Sequence, residues 1–156
     1  MLCLFASISL VNSAMTSTDF LKANGKVLKN NYGNGATVYL RGTNAGNISI
    51  QEPWMGVIAG TENVKCQRDI INVLTNRFGS AAAKTLLDTY RDNYWTEADV
   101  DRIASFGMNC IRLPLWYRDF VDENNNWYTN PFEWLDWFVE KAGDRGIYVI
   151  LDMHGA

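Results

Sequence analysis

Residues 108–116 read MNCIRLPLW and residues 147–155 read IYVILDMHG. Each is a short, nearly continuous apolar run, which is the pattern of a parallel strand buried on both faces of its sheet. Asn130 followed by Pro131 predicts the start of a helix between the two runs, and Gly146 predicts its end. A strand, a helix and a second strand in this order predict a βαβ unit, which is right-handed in nearly all known cases.

Polar side chains interrupt both apolar runs towards their ends, Arg112 in the first run and Asp152 and His154 in the second. The carboxyl ends of parallel strands form the edge where α/β folds carry their chemistry, so we expect these side chains at one site. Asp152 and His154 are two residues apart on a strand and therefore point to the same face. A buried guanidinium needs acceptors, so Arg112 at this site would require a partner there. The alternative is a purely structural role, in which Arg112 pairs with Asp152 or reaches solvent.

Helical patterns dominate the sequence before the first of these strands. Thr96 and Asp99 have the spacing of a capping box at the start of a helix over residues 97–106, and Gly107 predicts the end of that helix. Apolar residues at helical spacing predict two earlier helices, which Gly79 separates. The chain therefore alternates helices and strands, as an α/β fold requires.

Residues 24–42 read NGKVLKNNYGNGATVYLRG, two β-prone runs on either side of an Asn- and Gly-rich turn. This pattern predicts a β-hairpin before the helices, with residues 38–42 as its second strand. The residues alone thus predict an α/β fold with a parallel sheet and an N-terminal hairpin.

The composition is that of one globular domain, with 47% hydrophobic and 20% charged residues. The 14 basic and 17 acidic side chains give a net charge of −3, which argues against a nucleic-acid-binding surface. An aromatic content of 13% permits a sugar-binding surface without indicating one.

Residues 1–14 read MLCLFASISLVNSA, a short apolar run followed by small residues, which is typical of a secretory signal peptide. The run is shorter than the roughly 20 apolar residues of a membrane span. We therefore expect an extracellular protein that is not bound to a membrane; the alternative is an ordinary buried N-terminal segment. Cys66 and Cys110 would remain after cleavage, and the sequence leaves open whether they form a disulfide.

Four motifs together resemble glycoside hydrolase family 5, the (β/α)8-barrel cellulases and related β-glucanases. They are LRGTN at 40–44, QEPWM at 51–55, WTEADVDRIASFGMNCIRLPLWY at 95–117 and YVILDMHGA at 148–156. The resemblance implies that residues 15–156 are the N-terminal part of a catalytic domain, an incomplete (β/α)8 TIM barrel with its first three parallel strands. The motif QEPWM is most similar to the branch that contains exo-β-1,3-glucanases.

The same resemblance implies roles for three polar residues. Arg112 corresponds to the family arginine that hydrogen-bonds the nucleophilic glutamate. His154 corresponds to the histidine that contacts sugar in the subsite next to the scissile bond. Glu52 corresponds to a carboxylate of the first loop that, in the related exoglucanases, binds sugar hydroxyls.

Aromatic side chains near these positions are candidates for sugar stacking. Trp54, Trp116 and Tyr117 have flat rings that suit a pyranose face, and packing in the core is the alternative for each of them. Trp134 and Trp137 lie within a predicted helix, and we assign them to packing.

The resemblance also implies two catalytic glutamates, an acid/base at the end of the fourth barrel strand and a nucleophile at the end of the seventh. In retaining enzymes the two carboxyl groups lie about 5 to 5.5 Å apart. The sequence stops at Ala156, just past the third strand, so we assign no catalytic residue within it. We expect the isolated chain to be inactive and poorly stable.

For the complete protein we expect a monomeric enzyme that cleaves β-glucosidic bonds in β-glucan or cellulose with retention of configuration, without a cofactor or a metal. One alternative is a non-catalytic carbohydrate-binding or interaction module built on a partial barrel. A second alternative is a different barrel enzyme that holds a metal on Asp152 and His154.

Overall fold

A computed structural model describes residues 13–56 and 64–155, so most of the candidate signal peptide lies outside the described residues. The strands are β1 (Lys22–Asn24), β2 (Val27–Lys29), β3 (Gly42–Asn44), β4 (Cys110–Trp116) and β5 (Tyr148–Gly155). The helices are α1 (Gln67–Phe78), α2 (Ser80–Tyr94), α3 (Glu97–Ser105) and α4 (Glu133–Gly143). Short 3-10 turns lie at Ser17–Asp19, Asn31–Gly33, Pro53–Met55 and Tyr117–Asp119.

The predicted βαβ unit is confirmed: β4 and β5 are parallel neighbours, and α4 connects them. β3 pairs in parallel with the other side of β4, which gives the strand order β3-β4-β5. Sequential parallel strands in this order are those expected for the first strands of a (β/α)8 barrel, and within the part of the chain that the structure describes they do not close into one.

The predicted hairpin forms, but its second strand is shorter than predicted: the N–H of Val38 donates to the backbone oxygen of Leu28 at 2.9 Å, and Thr37 bridges Lys29 antiparallel. A further hairpin joins β1 and β2, which pair antiparallel around Gly25, whose φ of 62° suits the tight turn that Asn-Gly sequences form. Residues 39–42 leave the hairpin and lead into the parallel sheet through Gly42. A Cβ atom at that position would lie 1.6 Å from the backbone oxygen of Cys110, so only glycine permits this approach of β3 to β4.

The helices follow the predicted pattern except at the start of α4. Gly79 separates α1 from α2 with a φ of 82°, and Asp99 accepts a hydrogen bond from the backbone N–H of Thr96 at 2.9 Å. The predicted start of α4 at Asn130 and Pro131 is wrong, because Asn130 adopts a φ of 51° and the helix begins only at Glu133.

The core lies between one face of the sheet and the helices α3 and α4. Ile111, Leu113 and Leu115 of β4 alternate along the strand and are almost completely buried. Their cluster includes the apolar faces of both helices: Val100, Ile103, Leu135, Phe138 and Ala142. Trp134 and Trp137 pack against this cluster, as predicted.

The prediction that the sheet is buried on both faces is wrong for β5. Ile150, Leu151 and Met153 are between 44% and 56% exposed. Among the described residues β5 has a strand partner on one side only, and α3 and α4 cover only part of its length. β5 therefore carries apolar side chains at positions that this structure leaves exposed to solvent.

Two further expectations concern the cysteines and membranes. Cys66 is exposed at the start of α1 and Cys110 is buried in β4, and neither forms a disulfide in the structure. Burial raises the pKa of the Cys110 thiol. Among residues 13–56 and 64–155, no helix combines the length and the apolar composition that a bilayer crossing needs.

Candidate functional site

The candidate site lies on the face of the sheet opposite the helical core. Side chains alternate along a strand, so burial of Ile111 and Leu113 against the helices directs Arg112 to the other face. Arg112 is the third of seven residues of β4, so its predicted place at the end of the strand is wrong. It still reaches the predicted edge because its side chain is long.

Arg112 contacts three polar side chains on the neighbouring strands. Its guanidinium forms an ion pair with Asp152 of β5 and donates to Oδ1 of Asn44 on β3 at 3.4 Å. A guanidinium nitrogen also lies 3.0 Å from His154 Nδ1. The structure thus brings together the three residues that the strand pattern predicts, and of the alternatives for Arg112 the pairing with Asp152 is observed.

His154 lies at an irregularity of β5. Leu115 pairs with Met153, whereas the next residue of β4, Trp116, pairs with Gly155, so β5 contains one extra residue at His154. Such a bulge redirects a side chain and is frequent beside functional sites. Here it leaves His154 on the face where Arg112 and Asp152 lie.

The imidazole of His154 stands between two carboxylates. Nδ1 lies 3.0 Å from Asp152 Oδ2, and Nε2 lies 3.6 Å from Glu52 Oε1. Nδ1 also lies 3.0 Å from a nitrogen of Arg112, which can only donate, so the tautomer of the ring sets the direction of these bonds. With the proton on Nδ1 the ring donates to Asp152; with the proton on Nε2, Nδ1 accepts from Arg112 and the Nε2–H faces Glu52 across a gap longer than a hydrogen bond.

Glu52 is held by its own loop. Its other carboxylate oxygen accepts the indole N–H of Trp54 at 2.5 Å, and its backbone oxygen accepts the N–H of Met55 at 2.9 Å in the short turn that follows. Trp54 is 75% exposed, so its ring face is open and does not pack in the core. Glu52 and Trp54, the two site residues predicted from the QEPWM motif, are therefore joined by a hydrogen bond.

Trp116 lies next to this group and Tyr117 does not. The ring of Trp116 packs over Gly155, where a Cβ atom would lie 2.5 Å from the indole. Gly155 follows His154 in β5, and the backbone N–H of Trp116 donates to Ser49 in the segment that carries Glu52. The ring of Tyr117 contacts the edge of Trp116 and the guanidinium of Arg118, which places it further out.

The segment that carries Glu52 is irregular and yet buried from Ala45 to Gln51 except at Gly46 and Ile50. The Ser49 hydroxyl donates to Asp119 and accepts the backbone N–H of Trp116 at 3.0 Å. The N–H of Gln51 donates to the side chain of Gln67 at 2.8 Å. These bonds satisfy backbone and side-chain groups that burial would otherwise leave without partners.

Asp119 is a half-buried acid behind this segment. Burial raises the pKa of its carboxyl to about 6, although the Ser49 hydroxyl and the positive charge of Arg91 act in the opposite direction. The carboxylate of Asp88 lies on the same side and adds to the increase. Asp119 therefore holds the segment that carries Glu52 in place, because it accepts a hydrogen bond from Ser49.

The arrangement does not fit a shared metal ion. Within residues 13–56 and 64–155, no group of three or more His, Cys, Asp and Glu side chains is placed to hold one. Asp152 and Glu52 contact opposite nitrogens of His154, so the two carboxylates cannot bind one ion together with the same ring nitrogen.

Comparison with known proteins assigns the family. The model of the cellulase family, glycosyl hydrolase family 5, matches residues 69–156, which is more than half of the chain. The chain belongs to glycoside hydrolase family 5. The predicted resemblance is therefore confirmed, and with it the (β/α)8 type of the three parallel strands.

Several relatives in this family are fungal glycosidases. The chain is 32% identical over 139 residues to a β-xylosidase of Phanerodontia chrysosporium, and this match covers 88% of the chain and 28% of the relative. It is 29% identical to a probable glucan endo-1,6-β-glucosidase B of Aspergillus fumigatus, over 94% of the chain and 36% of the relative. It is 27% identical to a glucan 1,3-β-glucosidase of Candida oleophila, over the whole chain and 37% of the relative. The chain thus spans about a third of the length of these relatives.

A solved structure supports the fold. The crystal structure of AoRut matches 70% of the chain and 31% of its own length with a TM-score of 0.54. The sequence identity is 20%, so this match concerns the fold alone.

Sequence reasoning missed three polar residues of this family 5 site. Asn44 is the last residue of the LRGTN motif and lies opposite Arg112 in the parallel register of β3 and β4. Its position in that motif was a signal that could have identified it. Asn47 and Ser49 are buried, and with Gln51 they form a polar alternation in the segment before Glu52. That alternation was visible in the sequence, but their partners lie 43 and 70 residues away.

Proposed function

We propose that the complete protein containing this chain is a retaining glycosidase that hydrolyses β-glucosidic bonds in β-glucan, and that this chain forms one side of its sugar-binding site. The observation that carries the proposal is the continuous arrangement of Arg112, Asp152, His154 and Glu52 on one face of the sheet, lined by the open indole of Trp54. The family assignment and the glucan-hydrolysing relatives support it.

Glu52 and His154 suit the recognition of neighbouring sugar hydroxyls. Nε2 of His154 and Oε1 of Glu52 face each other 3.6 Å apart. Two adjacent hydroxyl groups on a pyranose ring can bond one of them each, donating to Glu52 and donating to or accepting from Nε2 according to the tautomer of the ring. Trp54 and Trp116 would offer ring faces to the same sugar, and Tyr117 would extend this aromatic surface outwards.

Arg112 would act on the nucleophile of the complete enzyme. Retaining hydrolysis needs one ionised carboxylate as nucleophile and one protonated carboxyl as acid. A permanent guanidinium charge nearby lowers the pKa of such a carboxylate and keeps it ionised. Asp152 would set the position of that guanidinium, because it forms an ion pair with Arg112 and lies 3.0 Å from Nδ1 of His154.

The chain would contribute residues 15–156 to the catalytic domain, while both catalytic glutamates would lie on other strands of the complete protein. Contacts of residues near this boundary with α4 and β5 support it: Met15 donates to the backbone of Gly143 in α4 at 2.8 Å, and the hydroxyl of Tyr148 in β5 donates to the backbone of Asp19 at 2.9 Å. We further propose a secreted, extracellular monomer that requires no cofactor.

Hydrolysis assays on the complete protein test the proposal. Soluble β-1,3-glucan and β-1,6-glucan are incubated with the complete protein and with the 156-residue chain, and released reducing ends and their anomeric configuration are measured. We expect products of retained configuration from the complete protein and none from the chain alone. Binding of glucan by the complete protein without any product would contradict the enzyme and favour a non-catalytic carbohydrate-binding module.

A further inference from the structure

Glu52 depends for its position on a buried residue five positions earlier. Its backbone N–H donates to Oδ1 of Asn47 at 2.9 Å. Asn47 is only 5% exposed and adopts a φ of 66°, a left-handed conformation that asparagine and glycine tolerate better than other residues. Its amide therefore faces inwards and bridges the loop just before Glu52.

Tyr90 of helix α2 fixes this amide from the other side. Nδ2 of Asn47 donates to the Tyr90 hydroxyl at 3.0 Å, and that hydroxyl donates to the backbone oxygen of Asn47, also at 3.0 Å. The ring of Tyr90 stacks on Tyr94 at 4.7 Å between centroids. Burial raises the pKa of Tyr90 above its ordinary value, so its hydroxyl keeps the proton that it donates.

Asn47 and Tyr90 bond to each other and to the backbone of Glu52. Both polar atoms of the Asn47 side chain have a partner: the amide nitrogen donates to Tyr90, and the amide oxygen accepts from Glu52. Buried amides that are bound on both sides are held in one orientation, since rotation would leave polar groups without partners. Tyr90 of α2 thus fixes the orientation of the Asn47 amide, and this amide fixes the backbone N–H of Glu52.

We propose that Asn47 and Tyr90 are positioning residues for Glu52, and that helix α2 in this way sets the affinity of the site for sugar. The inference rests on the proposed function, in which Glu52 binds sugar hydroxyls. Neither residue touches the sugar: both act through the placement of one carboxylate opposite His154. Loss of either one releases the loop and lets Glu52 move away from Nε2 of His154.

Kinetics of the complete protein on soluble β-1,3-glucan or β-1,6-glucan test this. Asn47→Gly keeps the left-handed backbone but removes the amide, and Tyr90→Phe keeps the ring but removes the hydroxyl. We expect Asn47→Gly to raise KM about five- to tenfold and Tyr90→Phe about threefold, with kcat changed less than about twofold. Tyr148→Phe is the matched control, because it removes a tyrosine hydrogen bond of similar length at Asp19, and it should leave KM unchanged.

A double-mutant cycle separates positioning from general destabilisation. In the background of Glu52→Ala, Asn47→Gly should raise KM by less than about twofold further, since the carboxylate that it positions is gone. A full additional effect in that background, or an equal rise in KM for Tyr90→Phe and Tyr148→Phe, would overturn the inference. Should Asn47→Gly not fold, Tyr90→Phe takes its place in the cycle, because it preserves the packing of the ring.

Failure of the proposed function and failure of the positioning role give different results. If Glu52→Ala leaves KM unchanged, Glu52 does not bind sugar and the proposed role of that residue is wrong. If Glu52→Ala raises KM while Asn47→Gly and Tyr90→Phe do not, the proposed function stands and the positioning role is wrong.

Discussion

Oδ2 of Asp152 lies 3.0 Å from Nδ1 of His154, so one strand supplies both the imidazole and the carboxylate that orients it. The same oxygen forms the ion pair with Arg112 on the neighbouring strand. A single carboxylate thus contacts two side chains of the site, the guanidinium of Arg112 and the imidazole of His154. Asp152 and His154 share one face of β5 because they are two residues apart on the strand.

Asp152→Asn should weaken the contacts with Arg112 and His154 while leaving the fold intact. An amide of the same size cannot neutralise Arg112, and hydrogen bonds to charged groups contribute about 1.5 to 3 kcal/mol. We expect kcat/KM of the complete protein on β-glucan to fall about 10- to 100-fold. Asp144→Asn is the matched control, since Asp144 is an exposed partner of Lys141 on the helical side. Equal activity of the two variants would show that Asp152 has no part in orienting the site.

Asp119 predicts a pH dependence of stability. Its pKa is raised by burial to about 6, from an ordinary value of 3.8, so the folded protein retains a proton that the unfolded chain releases. The contribution of this group to stability therefore falls as the pH rises from about 4 to about 6, and the loss is complete above that range. Asp119→Asn removes the titration. Relative to the wild type, the variant should gain roughly 2 kcal/mol in the free energy of unfolding between pH 4 and pH 7.

Urea unfolding of the complete protein at the two pH values measures this difference. The amide that the substitution introduces at position 119 can still accept from Ser49, so the loop contact is kept in the variant. A difference between variant and wild type that does not change with pH would mean that Asp119 titrates as an exposed acid.

Gly42 should tolerate no side chain. Gly42→Ala places a Cβ atom 1.6 Å from the backbone oxygen of Cys110, and backbone cannot move aside as a flexible side chain does. We expect β3 to separate from β4 and the complete protein to lose about 3 kcal/mol or more of stability. Gly143→Ala is the control, because nothing lies within 4 Å of a Cβ atom there. Equal melting temperatures for both variants would contradict the close approach of the two strands.

The sequence predicts those parts of the fold that local rules determine. Thr96 and Asp99 are three residues apart, and capping chemistry alone identifies their contact. The meeting of Arg112 with Asp152 and His154 follows from parallel strands whose polar residues share one face, without any knowledge of distant contacts. The family motif then supplies Glu52, which lies in an irregular loop that no periodicity describes.

Other parts depend on contacts that the sequence does not encode locally. Ser49 meets Asp119 across 70 residues and Asn47 meets Tyr90 across 43, and many polar residues of the chain could have taken those places. The second strand of the predicted hairpin ends early because Gly42 pairs with Cys110 of β4, a contact 68 residues away along the chain. The exposure of β5 depends on its neighbours and not on its own apolar sequence.

The most direct test of the central claim is the kcat/KM of the complete protein on soluble β-glucan after Arg112→Ala, with Arg102→Ala as the control. Arg102 pairs with Asp99 at 2.9 Å on the exposed side of α3, away from the site. We predict a fall of about 100-fold or more for Arg112→Ala, because Asp152 and His154 lose their cationic partner, and no more than about a twofold change for Arg102→Ala. Equal kcat/KM values for the two variants would contradict the assignment of this face of the sheet as the sugar-binding site.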